Sequence, residues 1–210
     1  HLMEETLLHH LGKTAEILVF LIGAMTIVEI VDYFNGFSVF QKIINFKTKK
    51  AILWVFSGLA FILSAIIDNL TATIVLISIL QKVVSDKNLR IWYAALIVIA
   101  ANAGGAWSPI GDVTTTMLWI GDKVSTPMLI QYLLIPSIAC AVAATGIASL
   151  LPAFKGEIKL NPVEDEGNKY SFRMLTLGLG SIVCVPIFKI ITHLPPYVGM
   201  MLALGVVAVF

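Results

Sequence analysis

The stretch 51–84 limits the fold more than any other part of the chain. It is apolar through both arms, 51–67 and 70–84, with Asp68 and Asn69 where the arms meet. As one straight helix it would be about 51 Å long, against a hydrocarbon thickness of about 30 Å. Two full spans would need about forty residues. A helical hairpin fits, with two arms of about fifteen residues that leave and return on one side and a tip near mid-membrane. An aspartate there costs about 2.5–3.5 kcal/mol on insertion scales, so it must have a compensating partner.

The rest of the composition agrees with a membrane setting. The 210 residues are 58% hydrophobic and only 13% charged, and the mean hydropathy is +0.92. A soluble domain carries about 25% charged residues. The apolar runs are continuous rather than alternating, which disfavours a β-barrel. The predicted fold is therefore all-α: a polytopic integral membrane helix bundle with a re-entrant hairpin at 51–84 and a discontinuous transmembrane helix at 91–121. The other predicted spans are 13–32, 128–151, 172–191 and 197–210, within a single transmembrane domain. Residues 1–12 read as polar to amphipathic, 33–50 as interfacial and 153–171 as a charged loop. His1 opens the chain and Phe210 falls inside an apolar run, so it reads as an incomplete piece with further spans on both sides.

Charge sets an expected orientation. The segments 33–50, 82–90 and 153–173 hold eleven of the fourteen Lys and Arg; Lys13, Lys123 and Lys189 make up the remainder. The eleven-residue side is expected to be cytoplasmic. The same count holds if 51–84 makes two ordinary spans, but not if it crosses once. No basic block with interleaved aromatics is present, so nucleic acid is not an expected partner. Cys140 and Cys184 lie in apolar runs and read as free thiols. There is no nucleophile elbow, phosphate loop, CxxC or His-Glu-x-x-His, and no enzyme or cofactor is expected.

A second polar break, 102–116, follows the hairpin, and Gly104-Gly105, Pro109 and Gly111 are expected to interrupt the span 91–121. Asp68 and Asp112 could simply cap the helices that follow them. The functional reading is cation coordination. Hard cations want oxygen ligands, and Asp68, Asn69, Thr71 and Thr73 supply them at the tip. Asn102, Ser108, Asp112, Thr114 and Thr115 supply them at the second break, with free carbonyls around 104–111. No basic residue lies in either polar core, whereas an anion site favours Arg, Lys or helix N-termini. Two carboxylates sharing a site repel, so one holds its proton more tightly and protons compete with the metal ion. Glu29 and Glu16 in the first span are secondary candidates whose plain reading is snorkelling or pairing. His9 and His10 are secondary candidates for pH sensing.

These motifs resemble those of a known family. Ser64-Ala-Ile-Ile-Asp-Asn-Leu-Thr-Ala-Thr73 and Ala101-Asn-Ala-Gly-Gly-Ala-Trp-Ser-Pro-Ile-Gly-Asp-Val-Thr-Thr-Thr-Met-Leu-Trp119 are similar to NhaD-type sodium/proton antiporters of the ion transporter superfamily. Residues 4–10 and 23–32 also resemble that family, so the likeness covers roughly 1–152. The resemblance implies two inverted halves, each with a hairpin and a broken helix, and export of Na+ (or Li+) against H+ taken up. It implies Asp68, Asn69 and Thr71 at the hairpin tip and Asn102, Asp112, Thr114 and Thr115 at the broken helix, with Na+ held at Asp68 and Asp112. A bacterial inner membrane or plastid envelope is the implied location, lipid and the transported ions are the implied partners, and a homo-oligomer is left open. This chain holds one hairpin and one broken helix, half of such a site. The alternative is a Na+-coupled carboxylate or oxyanion transporter of the same superfamily; an uncoupled channel or structural subunit is a third reading.

Overall fold

A computed structural model describes residues 2–40, 44, 46–158, 160–161 and 170–210. Among these the chain forms eight α-helices: α1 (Leu2–Tyr33), α2 (Lys49–Ser64), α3 (Asn69–Val83), α4 (Lys87–Ala106), α5 (Val113–Ile120), α6 (Thr126–Ser149), α7 (Ser171–Thr192) and α8 (Pro196–Val209). Short 3-10 turns lie at Gly36–Ser38 and Pro152–Phe154. The fold is thus the all-α membrane bundle expected from the sequence. Among the described residues four helical segments are long and apolar enough to cross a membrane: Leu11–Tyr33, Lys87–Ala106, Thr126–Ser149 and Ser171–Thr192. Large apolar side chains such as Leu18, Ile22 and Met25 on α1, and Ile135 and Ile147 on α6, remain exposed. A bilayer is the solvent that accommodates such a surface.

Two packing groups share one core. In the first, α2 and α3 form a hairpin against α4, and α4 and α2 also pack on α6. In the second, α1, α7 and α8 pack on one another. α1 comes so close to α7 that a Cβ on Gly178 would lie 2.3 Å from Val31 Cγ2. The short α5 touches α1 and stands between the groups.

The hairpin arms have 16 and 15 residues. At 1.5 Å per residue they are about 24 and 22 Å long, each short of a full span. Thr48 caps α2 by accepting from Ala51 N at 3.3 Å. Asp68 ends the turn and caps α3.

Both open ends of the hairpin are tied by one short strap. Lys49 N donates to Gly156 O (3.2 Å), Ile158 N to Lys47 O (3.0 Å) and Asn161 N to Val83 O (3.0 Å). Asn161 Nδ2 also donates to Lys82 O at 3.1 Å, and Ser85 Oγ donates to Asn161 Oδ1 at 2.7 Å. Five residues of chain reach at most about 18 Å, so the two ends lie side by side. Phe154, fully buried, anchors the strap against Tyr93 at 5.3 Å. Asn161→Ala removes two hydrogen bonds and is expected to cost about 1–2 kcal/mol, read as a lower thermal midpoint of the detergent-solubilised protein.

Two local readings of the sequence need correction. Gly104 and Gly105 do not interrupt the helix, because α4 runs through both and ends at Ala106; the break is 107–112. The glycines serve close packing instead. Residues 2–12 are not a separate polar segment but the first turns of α1. Leucines, glutamates and methionine there are good helix formers, and they outweigh the scattered polarity. The charged part of the loop, 162–169 with Lys159, lies outside the described residues.

Candidate functional site

Three backbone approaches build the site. A Cβ on Gly104 would lie 2.1 Å from Phe61 O, one on Gly105 2.4 Å from Gly111 O, and one on Gly111 2.3 Å from Ser64 O. Only residues without Cβ let the last turn of α2, the last turn of α4 and the break meet so closely. Trp107 at the head of the break stacks on Phe61 of α2, with centroids 6.4 Å apart. Ser108, buried, stiffens the turn by accepting from Ile110 N at 3.4 Å. The break is then stitched to the hairpin tip, since Asn69 N donates to Gly111 O at 3.1 Å.

Side chains from both breaks converge on Asn69. Its Nδ2 donates to Asn102 Oδ1 at 3.0 Å and, more weakly, to Asp112 Oδ1 at 3.4 Å. Asn102 is oriented in turn by donating from Nδ2 to Val98 O at 2.8 Å. The other Asp112 oxygen accepts from Thr114 Oγ1. Thr116 donates to the Asp112 backbone carbonyl from both N (2.8 Å) and Oγ1 (2.9 Å), which holds the first turn of α5.

The two aspartates behave differently. Asp68 does cap its helix: Oδ1 accepts from Thr71 N at 2.9 Å and Oδ2 from Thr71 Oγ1 at 2.5 Å. Asp112 occupies the N-cap position of α5 but makes no side-chain cap bond. Capping therefore accounts for Asp68 and leaves the Asp112 carboxylate for the Asn69–Asn102 cluster. Asp68 joins that cluster through the chain, as the neighbour of Asn69. Asp68 also lines a crevice with Phe20, Ala24 and Val28 of α1 and with Ile110 and Val113. Among the described residues the partners of both carboxylates are hydroxyls, an amide and backbone N–H, not Lys or Arg.

Other sequence candidates lie as follows. Thr115 is buried on the inner side of α5, and Thr73 is half-buried on α3. Glu16 pairs with Lys13 at 3.5 Å, away from the breaks. Glu29 is exposed on α1, in line with exposed Ile22 and Met25. The side chains of His9 and His10 lie outside the described residues. Among the described residues no group of three His, Cys, Asp or Glu is placed to hold a metal, so any cation here relies on amide, hydroxyl and carbonyl oxygens beside a carboxylate.

One polar atom went unassigned in the sequence reading. Ser64 Oγ is fully buried with no hydrogen-bond partner among the described residues, 3.1 Å from where a Cβ of Gly105 would stand. A buried orphan hydroxyl is costly. Only its position four residues before Asp68 could have signalled it in the sequence.

The chain is similar to several known transporters. It is 43% identical over 201 residues to sodium/proton antiporter 1 of Arabidopsis thaliana, covering 94% of this chain and 35% of the relative. Sodium/proton antiporter 2 of the same plant is 40% identical, over 95% of this chain and 49% of the relative. The Na+/H+ antiporter NhaD of Vibrio parahaemolyticus is 34% identical, over 96% and 49%. The chain thus spans between about a third and a half of the length of these curated relatives. No solved structure matches it. The matches bear out the NhaD-type resemblance and, with the four apolar spans, make this a multi-pass integral membrane protein. A family model described as CitMHS, citrate transporter, matches residues 8–209, and the chain belongs to that family.

Proposed function

We propose that the full-length protein exchanges Na+ for H+ across its membrane, with Li+ as a second cation, and that this chain carries half of the ion site. The observation that carries the reading is the Asn69 amide, bonded across two helix breaks to Asn102 and Asp112. It supports one site built from both breaks, rather than two unrelated caps. The ligand set is the carboxylates of Asp68 and Asp112, the amide oxygens of Asn69 and Asn102, the hydroxyls of Ser64, Thr71 and Thr114, and carbonyls of the break. Thr115 braces the inner side of α5.

Protons and Na+ compete for the same carboxylate oxygens, so the site moves one or the other. Asn102 and Thr114 are exposed at the surface of this chain, and the hairpin arms are too short to cross a bilayer each. Both features support a re-entrant hairpin whose site is completed by the other half of the full-length protein. The names of the relatives support sodium and protons as the cargo. The strap, with Lys47, Lys49, Lys82 and Lys155 near it, belongs to the cytoplasmic side.

In everted vesicles, Na+ added to the full-length protein should release protons. Asp112→Asn should lower that release at least tenfold, the scale of losing one charge-assisted ligand, and Asp68→Asn should do the same. Normal exchange by both variants would sink the proposal. The family description favours one alternative, sodium-coupled carboxylate uptake. Citrate that accelerates sodium entry, without sodium-driven proton release, would select that reading.

A further inference from the structure

We propose that Lys189 is a positioning residue for the ion site: it clamps the far end of α5, whose near end carries Asp112. The inference rests on the reading of Asp112 as an ion ligand. Lys189 lies in the last turn of α7, a helix of the other packing group. Its Nζ donates to Trp119 O at 2.9 Å and to Asp122 Oδ1 at 2.9 Å, and sits 4.6 Å from the centroid of the Trp119 ring. A lysine near a helix end ordinarily snorkels to water. This one instead makes two directed bonds and a cation–π contact, with its side chain only 20% exposed.

α5 needs such a grip. It has eight residues, too few to hold a helix by local bonds alone. Its C-terminus closes with Gly121 N donating to Met117 O at 3.0 Å and Lys123 N to Leu118 O at 2.9 Å. The residue in the left-handed conformation is not Gly121 but Asp122, with φ 54°. Glycine would adopt that conformation at no steric cost. Aspartate there supplies something glycine cannot, the carboxylate that Lys189 holds. Trp119 completes the clamp: it is 2% exposed and meets Phe20 of α1 edge-on at 6.2 Å.

The clamp ties the broken helix to α7 and α1, while Asn69 and Gly111 tie its other end to the hairpin. Position 119 is about 10 Å along the helix axis from position 112. Loosening the clamp lets the short helix pivot, which spreads the positions open to the Asp112 carboxylate. Its effect falls on cation affinity more than on turnover.

Two measurements on the full-length protein test this. Hydrogen exchange of the amides at 113–121 should be about tenfold faster in Lys189→Met, the effect of losing a charge-assisted bond, and Lys189→Arg should restore protection. Sodium-driven proton release by Lys189→Met should need about tenfold more Na+ for half-maximal rate, with maximal rate within about twofold. Asp122→Asn, which keeps the carbonyl and ring contacts, should move it about threefold. Unchanged protection of 113–121 in Lys189→Met overturns the clamp whether or not the protein transports sodium. Wild-type Na+ dependence beside lost protection overturns the link to the site. Absence of sodium-driven exchange in the wild-type protein is a different failure, that of the proposed function, and the exchange protection then still decides the clamp.

Discussion

Alanine at position 104 is expected to remove folding and ion exchange together. The Cβ it adds would stand 2.1 Å from Phe61 O and 2.7 Å from Phe61 C and Cα. These are backbone atoms of α2 and cannot rotate aside. α2 or α4 must move, yet α4 is held to the break by Gly105 against Gly111, and α2 by Gly111 against Ser64. Overpacking typically costs 1–3 kcal/mol, and a backbone clash at a locked crossing belongs at about 3 kcal/mol or above. Gly58→Ala, one turn back on α2, is the control. No atom of the described residues lies within 4 Å of its added Cβ, so replacing a helical glycine there should be neutral or stabilising by up to about 1 kcal/mol. Thermal unfolding in detergent and sodium-driven proton release should both fail for Gly104→Ala and both survive for Gly58→Ala. A Gly104→Ala protein with normal stability would show that the crossing is looser than these contacts indicate.

Much of the architecture was legible because membrane spans are constrained by length and apolarity. The hairpin follows from a run too long for one span and too short for two, and α2 and α3 begin and end within two residues of its bounds. What failed was reading Gly104-Gly105 as a break. In a soluble helix paired glycines weaken the element. Between close-packed membrane helices they are interface residues, and sequence alone does not tell the two uses apart. The strap at 156–161 was also invisible. It works through backbone groups and one asparagine, none of which stands out in a polar loop. Lys189 was counted only as a charge on one side, since its partners lie about seventy residues away at 119 and 122. In the site itself, residue types pointed to both breaks. They could not say which carboxylate caps its helix and which is left for the amide cluster.

Asn69→Asp should damage exchange more selectively than any change of shape. The substitution keeps the volume of the side chain and replaces its NH2 with oxygen. The two donated bonds, 3.0 Å to Asn102 Oδ1 and 3.4 Å to Asp112 Oδ1, become contacts between acceptors. A second carboxylate then stands beside Asp112. Like charges at such separations repel by a few kcal/mol at the effective dielectric of a protein surface, on the order of what a hundredfold change requires. The pair relieves the repulsion by taking up a proton between its two carboxylates. That proton occupies the oxygens Na+ needs. Sodium-driven exchange near neutral pH should therefore fall about a hundredfold. Raising the pH removes the shared proton and leaves a more negative site, so activity should return on the alkaline side of the wild-type profile. Asn69→Ala removes the same bonds without adding charge. It should lower exchange while leaving the pH profile where it was, since no new proton is bound. The comparison separates loss of the bridge from gain of a proton trap. An unmoved pH profile in Asn69→Asp would mean that residue 69 and Asp112 do not share one site, and the joining of the two breaks through this amide would have no part in the transport.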